Sequence, residues 1–192
     1  MFDGQPKEVI IYETADGTQP FIIWRERLRD AKTRAVIRKR IERLERGNPG
    51  DFKCFGDICE LRIDYGPGFR LYLAFTGQHA VLLLCGRQKH ARGGFCEGAR
   101  VLERLSREVQ SMMRWSEYAK QSLATDAEEA AAYLRLALEE AAEDPAGLVA
   151  AFNQVTEARG SIDDLGLSVE ERAELASALS RSLAATTLQQ AA

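Results

Sequence analysis

The composition of the chain changes abruptly near residues 109–115, and this change limits the 192 residues to two units of different kind. Residues 1–113 hold 20 Lys and Arg against 15 Asp and Glu, a net charge of +5. Residues 114–192 hold 6 against 14, a net charge of −8, and alanine replaces most aromatic and β-branched side chains. A basic half favours a polyanionic partner, and an acidic half could be its intramolecular partner. Solvated surface charge accounts for the same numbers equally well.

The basic half begins with a strand and an amphipathic helical segment. Val9–Tyr12 predicts the strand, and apolar residues then recur every three or four positions from Phe21 to Leu44. The segment is one helix, or two helices broken near Asp30–Lys32, and Gly47 is expected to end it in the left-handed conformation. Its polar face carries a row of basic side chains, which is usually solvated but could contact an RNA backbone. The members of this row are Arg25, Arg27, Arg29, Arg34, Arg38, Lys39, Arg40, Arg43 and Arg46.

Three strands and a helix are predicted next. Cys59–Asp64 alternates strictly, which places Leu61 and Ile63 on one face and the charged residues on the other. Phe69–Phe75 is the following strand, and Ala80–Cys85 is apolar throughout, as in a central strand buried on both faces. A final helix is expected over 95–109.

The acidic half is predicted to be all helix. Capping boxes are expected at Thr125–Glu128 and Ser168–Glu171, and Asp144-Pro145 is expected to start another helix. Gly160 is expected to close that helix, and residues 185–192 to be a disordered tail.

The cysteines and histidines do not suggest a metal site. Cys54, Cys59, Cys85 and Cys96 form no C-x-x-C pair, and His79 and His90 are the only histidines. We expect reduced thiols near a core, no metal and no cofactor. The sequence holds no long apolar run and no signal-peptide pattern, so a cytoplasmic location without membrane contact is expected.

Four motifs in order make the first 110 residues resemble a known family. They are D-G-T-Q-P-F at 16–21, G-N-P-G-D at 47–51, E-L-R-I-D-Y-G-P-G-F-R-L-Y at 60–72 and L-L-L-C-G-R-Q-K at 82–89. This succession resembles the HigB-like, phage-derived addiction module killer toxins of the RelE/ParE superfamily. The resemblance implies an α+β fold, with a RelE-like small antiparallel sheet, N-terminal helices and a C-terminal helix, followed here by an all-α segment. It also implies metal-independent cleavage of mRNA, usually on the ribosome.

The residues of these motifs suit phosphoryl transfer, which needs positive charge around the phosphate and a proton relay. Arginine binds phosphate in a bidentate manner, and Arg62 and Arg70 could share one face of the sheet. Lys89 could act as a base or electrostatic clamp, and His90 as a general acid or base. The candidates for RNA binding, by base stacking or backbone contact, are Tyr65, Tyr72, Arg38, Arg87 and Arg92.

Each of these residues also has a structural interpretation. Arg62 could pair with neighbouring carboxylates, Tyr72 could be half-buried packing, and His90 could be an exposed loop residue. The sequence departs from the family pattern at Gln88, where the pattern has an acidic residue, and at Arg87, which is an extra arginine. A restrained or weakened toxin is therefore expected.

The acidic half resembles HigA-like addiction module antidotes. W-S-E-Y at 115–118, E-A-A-A-Y-L at 129–134, A-L-E-E at 137–140 and T-E-A-R-G at 156–160 carry this resemblance. In such antidotes a DNA-binding helix-turn-helix follows, but Ile162–Ser180 is short and acidic, so DNA recognition is not expected here.

Together the halves predict a toxin at 1–110 fused to an antitoxin-like segment at 111–184, which would mask Arg62, Arg70 and Lys89. The expected partners are mRNA or the ribosome and the antitoxin helices of this chain or of a cognate antitoxin, and homodimerisation stays open. The alternatives are a ParE-like toxin that acts on a topoisomerase and a catalytically decayed nucleic-acid-binding regulator.

Overall fold

Five strands form one sheet: β1 (Glu8–Ile11), β2 (Phe52–Phe55), β3 (Ile58–Ile63), β4 (Phe69–Thr76) and β5 (His79–Arg87). Their order is β1–β5–β4–β3–β2, with β1 parallel to β5 and the other pairs antiparallel. The computed structural model describes residues 4–87 and 111–190, with side chains over 4–80 and 111–184. The expected α+β class is confirmed. The helix predicted over 95–109 lies outside the described residues.

The helical segment of the basic half consists of two helices, α1 (Pro20–Glu26) and α2 (Ala31–Glu45). The break falls where the sequence placed it, because the Asp30 carboxylate accepts the Thr33 N–H and starts α2. Gly47 follows the end of α2 with a φ of 80°, as predicted. A Cβ at this position would stand 2.6 Å from the Gly4 carbonyl oxygen, so space as well as conformation requires glycine.

The core of the first part lies between α1, α2 and one face of the sheet. Alternation turns Leu61 and Leu71 to this face, and both are fully buried. The rings of Trp24 and Phe69 meet edge to face, with centroids 6.0 Å apart. The helices contribute a matching apolar stripe to the core, formed by Phe21, Ile37, Ile41 and Leu44.

The hairpin of β2 and β3 corrects two expectations. Strand β2 was not predicted, although the Gly56-Asp57 turn between two short apolar runs is a typical hairpin signal. Its register places Cys54 opposite Cys59, and the two form a disulfide instead of the reduced thiols expected. Sequence spacing alone did not show this pairing, because it depends on a two-residue turn that brings the positions face to face.

The edge of β1 is covered by a segment from much later in the chain. Ile10 forms an antiparallel bridge with Arg114, and the Ile11 N–H donates to the Met113 carbonyl at 2.9 Å. The guanidinium of Arg114 also pairs with Glu8. This segment leads into α3 (Trp115–Thr125).

Trp115, the first residue of α3, is fully buried and packs edge to face against Phe21, with centroids 5.9 Å apart. Two buried guanidinium groups, those of Arg25 and Arg38, each lie 5.6 Å from the centre of its ring. Arg25 also donates to the Tyr118 hydroxyl at 3.0 Å. The first compact unit spans Met1–Tyr118.

The second unit, residues 119–192, contains three further helices: α4 (Ala127–Glu139), α5 (Pro145–Arg159) and α6 (Val169–Gln190). Its buried apolar residues include Leu134, Leu148 and Leu175. The expected disordered tail at 185–192 is helical as far as Gln190. The run of Ala, Thr, Leu and Gln in this stretch contains no helix breaker.

The helix caps of the second unit follow the sequence closely. Ser168 and Glu171 exchange side-chain-to-backbone hydrogen bonds of 2.7 and 3.1 Å, which confirms that capping box. Asp144 starts α5, and Gly160 ends it in the left-handed conformation. The other box is displaced by one residue, because Asp126 rather than Thr125 caps α4. A three-residue 3-10 turn (Asp163–Leu165) lies between α5 and α6.

We expect Trp115→Ala to lower the free energy of unfolding by about 3–5 kcal/mol, because it removes a large ring and uncovers two buried guanidinium groups. Urea unfolding followed by circular dichroism measures the loss. The control is Ser116→Ala, at an exposed position of the same helix. A Trp115→Ala protein as stable as the control would contradict this role of the ring.

The stability of the first unit should depend on pH, because the pKa of the Glu45 carboxyl is raised. Burial, followed by repulsion from Glu42, raises the pKa of the Glu45 carboxyl to about 7. The folded state therefore holds this proton more tightly than the unfolded state. The stability that this proton adds to the folded state is fully present below the ordinary pKa of 4.5 and is lost as the pH rises through about 7.

Between about pH 4.5 and pH 8, we expect the wild type to lose about 2 kcal/mol that Glu45→Gln retains. Urea unfolding across this range measures the difference. The control is Glu26→Gln, at an exposed position, and it should follow the wild type. Parallel curves for the wild type and Glu45→Gln would show that Glu45 does not titrate in this range.

Candidate functional site

The face of the sheet opposite the core carries a polar group of side chains, which we call the Glu60 cluster: Glu60, Arg62, Arg70 and Tyr72. Alternation along β3 and along the first part of β4 places all four on this outer face. The register pairs Glu60 with Tyr72 and Arg62 with Arg70. Arg62 and Arg70 therefore share one face, as the sequence suggested.

Glu60 lies at the centre of the cluster. Its Oε1 accepts from Nε of Arg62 at 2.6 Å and lies 3.3 Å from Nη1 of Arg70. Its Oε2 accepts from the Tyr72 hydroxyl at 3.4 Å. The Glu60 side chain is only 13% exposed, whereas Arg62 is 33% exposed. One carboxylate thus holds two cations and a phenol together.

Arg62 is also tied to neighbouring elements. Its Nη1 lies 3.7 Å from the exposed Asp51 carboxylate. The hydrogen bond to Glu60 and its negative charge raise the pKa of the Arg62 guanidinium, which stays charged. Arg40 of α2 donates to the backbone carbonyls of Asp51 and Arg62 at 3.1 and 3.0 Å, so this helix supports the strand end that carries Arg62.

The remaining predicted site residues lie in different places. Tyr65 is half-buried in the turn between β3 and β4. Arg38 is fully buried under Trp115, so it has no surface to offer an RNA backbone, and its contacts are those of a core residue. Arg87 ends β5, and its side chain lies outside the described residues. Lys89, His90 and Arg92 also lie outside the described residues.

Sequence reasoning treated Glu60 only as a pairing partner and missed its central place in the cluster. The signal was present in the E-x-R alternation of β3, which places a carboxylate two residues before an arginine on the same face. The bonds from β4 could not be predicted, because they depend on the register of two strands.

The arrangement combines three chemical capacities. Two guanidinium groups can hold an oxyanion by bidentate hydrogen bonds. A carboxylate within hydrogen-bond distance of both can accept a proton from a group bound beside them. An aromatic ring at the edge of the cluster offers a surface for a planar ligand.

Comparison with known proteins gives one informative match. A protein of Haemophilus influenzae described as "Uncharacterized protein" is 41% identical over 86 residues, which are 44% of this chain and 87% of that protein. The chain belongs to the same family as this Haemophilus protein. The relative is about half as long as the chain, so it matches only part of the chain. No protein-family model and no solved structure matches the chain.

Within the described residues, no helix is both long and apolar enough to cross a membrane.

Replacing Glu60 by glutamine should destabilise the first unit, because two arginines then face each other across β3 and β4 without the shared negative charge. We expect a loss of about 1 kcal/mol at low salt and a smaller loss at about 1 M salt, where repulsion is screened. Urea unfolding at both salt concentrations tests this. Asp51→Asn, at a 65% exposed carboxylate, is the control and should change little. A salt-independent loss in Glu60→Gln would point to packing rather than charge.

Proposed function

We propose that the first unit is the toxin of a type II toxin–antitoxin module and cleaves single-stranded mRNA, without a metal, on the ribosome. The observation that carries the proposal is the Glu60 cluster, in which a carboxylate and two arginines share one sheet face. The motif succession at 60–72, with its resemblance to HigB-like toxins, supports the same function.

Three members of the cluster have roles in this reaction. Glu60 accepts the proton of a ribose 2′-hydroxyl, whose oxygen then attacks the adjacent phosphorus. Arg62 and Arg70 stabilise the negative charge on the non-bridging phosphate oxygens in the transition state. The bond to the 5′-oxygen of the next nucleotide breaks, and the products are a 2′,3′-cyclic phosphate and a 5′-hydroxyl. Lys89 or His90, predicted from the sequence, would protonate that leaving oxygen.

The second unit is proposed to restrain the toxin on the same chain. The opposite net charges of the two halves and the antidote-like motifs support this role. A tether makes such inhibition independent of expression level, because the effective concentration of the inhibitor is fixed. The proposal includes a cytoplasmic location, because translated mRNA lies there.

The test compares the whole chain with a truncated chain of residues 1–125, expressed under an inducible promoter. This truncation retains Trp115 and Tyr118, which a chain ending at residue 110 would lose. We expect the truncated chain to stop growth and to produce mapped cuts in translated mRNA, whereas the whole chain does neither. Equal harmlessness of the two would sink the proposal of a masked toxin.

Arg70→Ala in the truncated chain should lower mRNA cleavage by about 10²–10³-fold and restore growth, because a donor to the transition-state charge is lost. Primer extension on a reporter mRNA measures cleavage. Arg27→Ala, at an exposed position away from the sheet, is the control. Full toxicity in an Arg70→Ala, Lys89→Ala double variant would favour the ParE-like alternative, which needs no RNA cleavage.

A further inference from the structure

The edge strand β2 presents an exposed aromatic ring and a lysine that the proposed reaction does not use. Phe55 is 55% exposed, which is unusual for a residue of this size. Lys53 is also exposed, and its Nζ lies 5.1 Å from the centre of the Phe55 ring. The two residues are two positions apart on one strand, so they point to the same side of the sheet.

That side is the outer face that carries the Glu60 cluster. The register places Lys53 directly opposite Glu60, and Glu60 directly opposite Tyr72. One row across three strands therefore runs from a lysine through the carboxylate to a tyrosine. From strand spacing and rise, the Cα atoms of Phe55 and Glu60 are roughly 8 Å apart. Neighbouring nucleotides of an extended strand cover such a span.

The hairpin that carries Phe55 is held firmly in this position. The Cys54–Cys59 disulfide joins β2 to β3 at the position between Lys53 and Phe55. The side chains of Cys54 and Cys59 alternate to the other face, so the bond fixes the strand without covering the ring. The aromatic ring of Phe55 offers a surface for a planar base. The lysine beside it can bind the negative phosphate of the same nucleotide chain.

We propose that Lys53 and Phe55 form a nucleobase subsite for single-stranded RNA, which binds a nucleotide flanking the one held at the Glu60 cluster. Phe55 stacks on the base, and Lys53 contacts the adjoining phosphate. Tyr72 and Phe55 then lie on either side of Glu60, so the RNA is held on both sides of the phosphate to be cleaved. This subsite rests on the proposed function, since it assumes an RNA on this face.

The test measures binding of the chain truncated at residue 125, which lacks the proposed inhibitor, and of the whole chain for comparison, to a fluorescein-labelled, single-stranded 2′-O-methyl octanucleotide by fluorescence anisotropy. The 2′-O-methyl group blocks cleavage, so binding alone is observed. We expect Phe55→Ala and Phe55→Leu to weaken binding about tenfold and Phe55→Trp to retain it, because stacking requires an aromatic ring. Lys53→Ala should reduce the slope of log Kd against log salt by about 0.7, as one phosphate contact is lost. Ile23→Ala, at a 41% exposed apolar residue, is the control.

An octanucleotide that lacks all bases separates stacking from charge. Phe55→Ala should bind it as the wild type does, whereas Lys53→Ala should still bind it more weakly. Circular dichroism of each variant shows that the fold is intact.

The outcomes distinguish the subsite from the proposed function. If Arg62→Ala and Arg70→Ala lose binding while Phe55→Leu keeps it, the subsite is wrong and RNA binding at the cluster stands. If neither the truncated chain nor the whole chain binds RNA, both proposals are overturned. A dimer in sedimentation that Phe55→Ala dissociates would show that the edge of β2 pairs with a second copy of the chain, which also overturns the subsite.

Discussion

Two arginine side chains of the first unit are buried, and the packing of that unit depends on the groups that compensate their charges. Arg25 and Arg38 are almost fully buried, and each places its guanidinium over the ring of Trp115. A buried cation costs several kcal/mol unless other groups compensate for it. The aromatic face supplies part of that compensation, and the Tyr118 hydroxyl supplies a hydrogen bond to Arg25. Because Trp115 follows the sheet in the chain, α1 and α2 are held in place by a segment far from them in sequence.

Glu60 plays a comparable part on the opposite face of the sheet. Without it, Arg62 and Arg70 would face each other as like charges at one register position. With it, both guanidinium groups are held in place before any ligand arrives. A site that is ordered in advance loses less conformational entropy when it binds. In the function that we propose, the same carboxylate organises the cluster and accepts the proton.

The sequence predicted the local structure well and the long-range pairing poorly. The break at Asp30 and the caps at Asp144 and Ser168 depend on neighbouring residues, and each is confirmed. The sequence also predicted that Arg62 and Arg70 share a face. Arg38 fell in a row of basic residues that looked solvated, and only the packing of Trp115 shows that it is buried. The disulfide and the bonds of β4 to Glu60 depend on strand register, which no local pattern reports.

The strand-like segment that closes the edge of β1 has a consequence for how the chain is made. Strand β1 is synthesised first, but its partner on the open edge, Met113 and Arg114, is synthesised about a hundred residues later. A domain generally folds as its chain leaves the ribosome. Here the open edge of β1 has no partner, and the buried arginines have no aromatic ring over them, until Trp115 has left the ribosome. By then translation has entered the second unit. The order of synthesis therefore makes the first unit reach its final core only when the proposed inhibitor is already being added to the same chain.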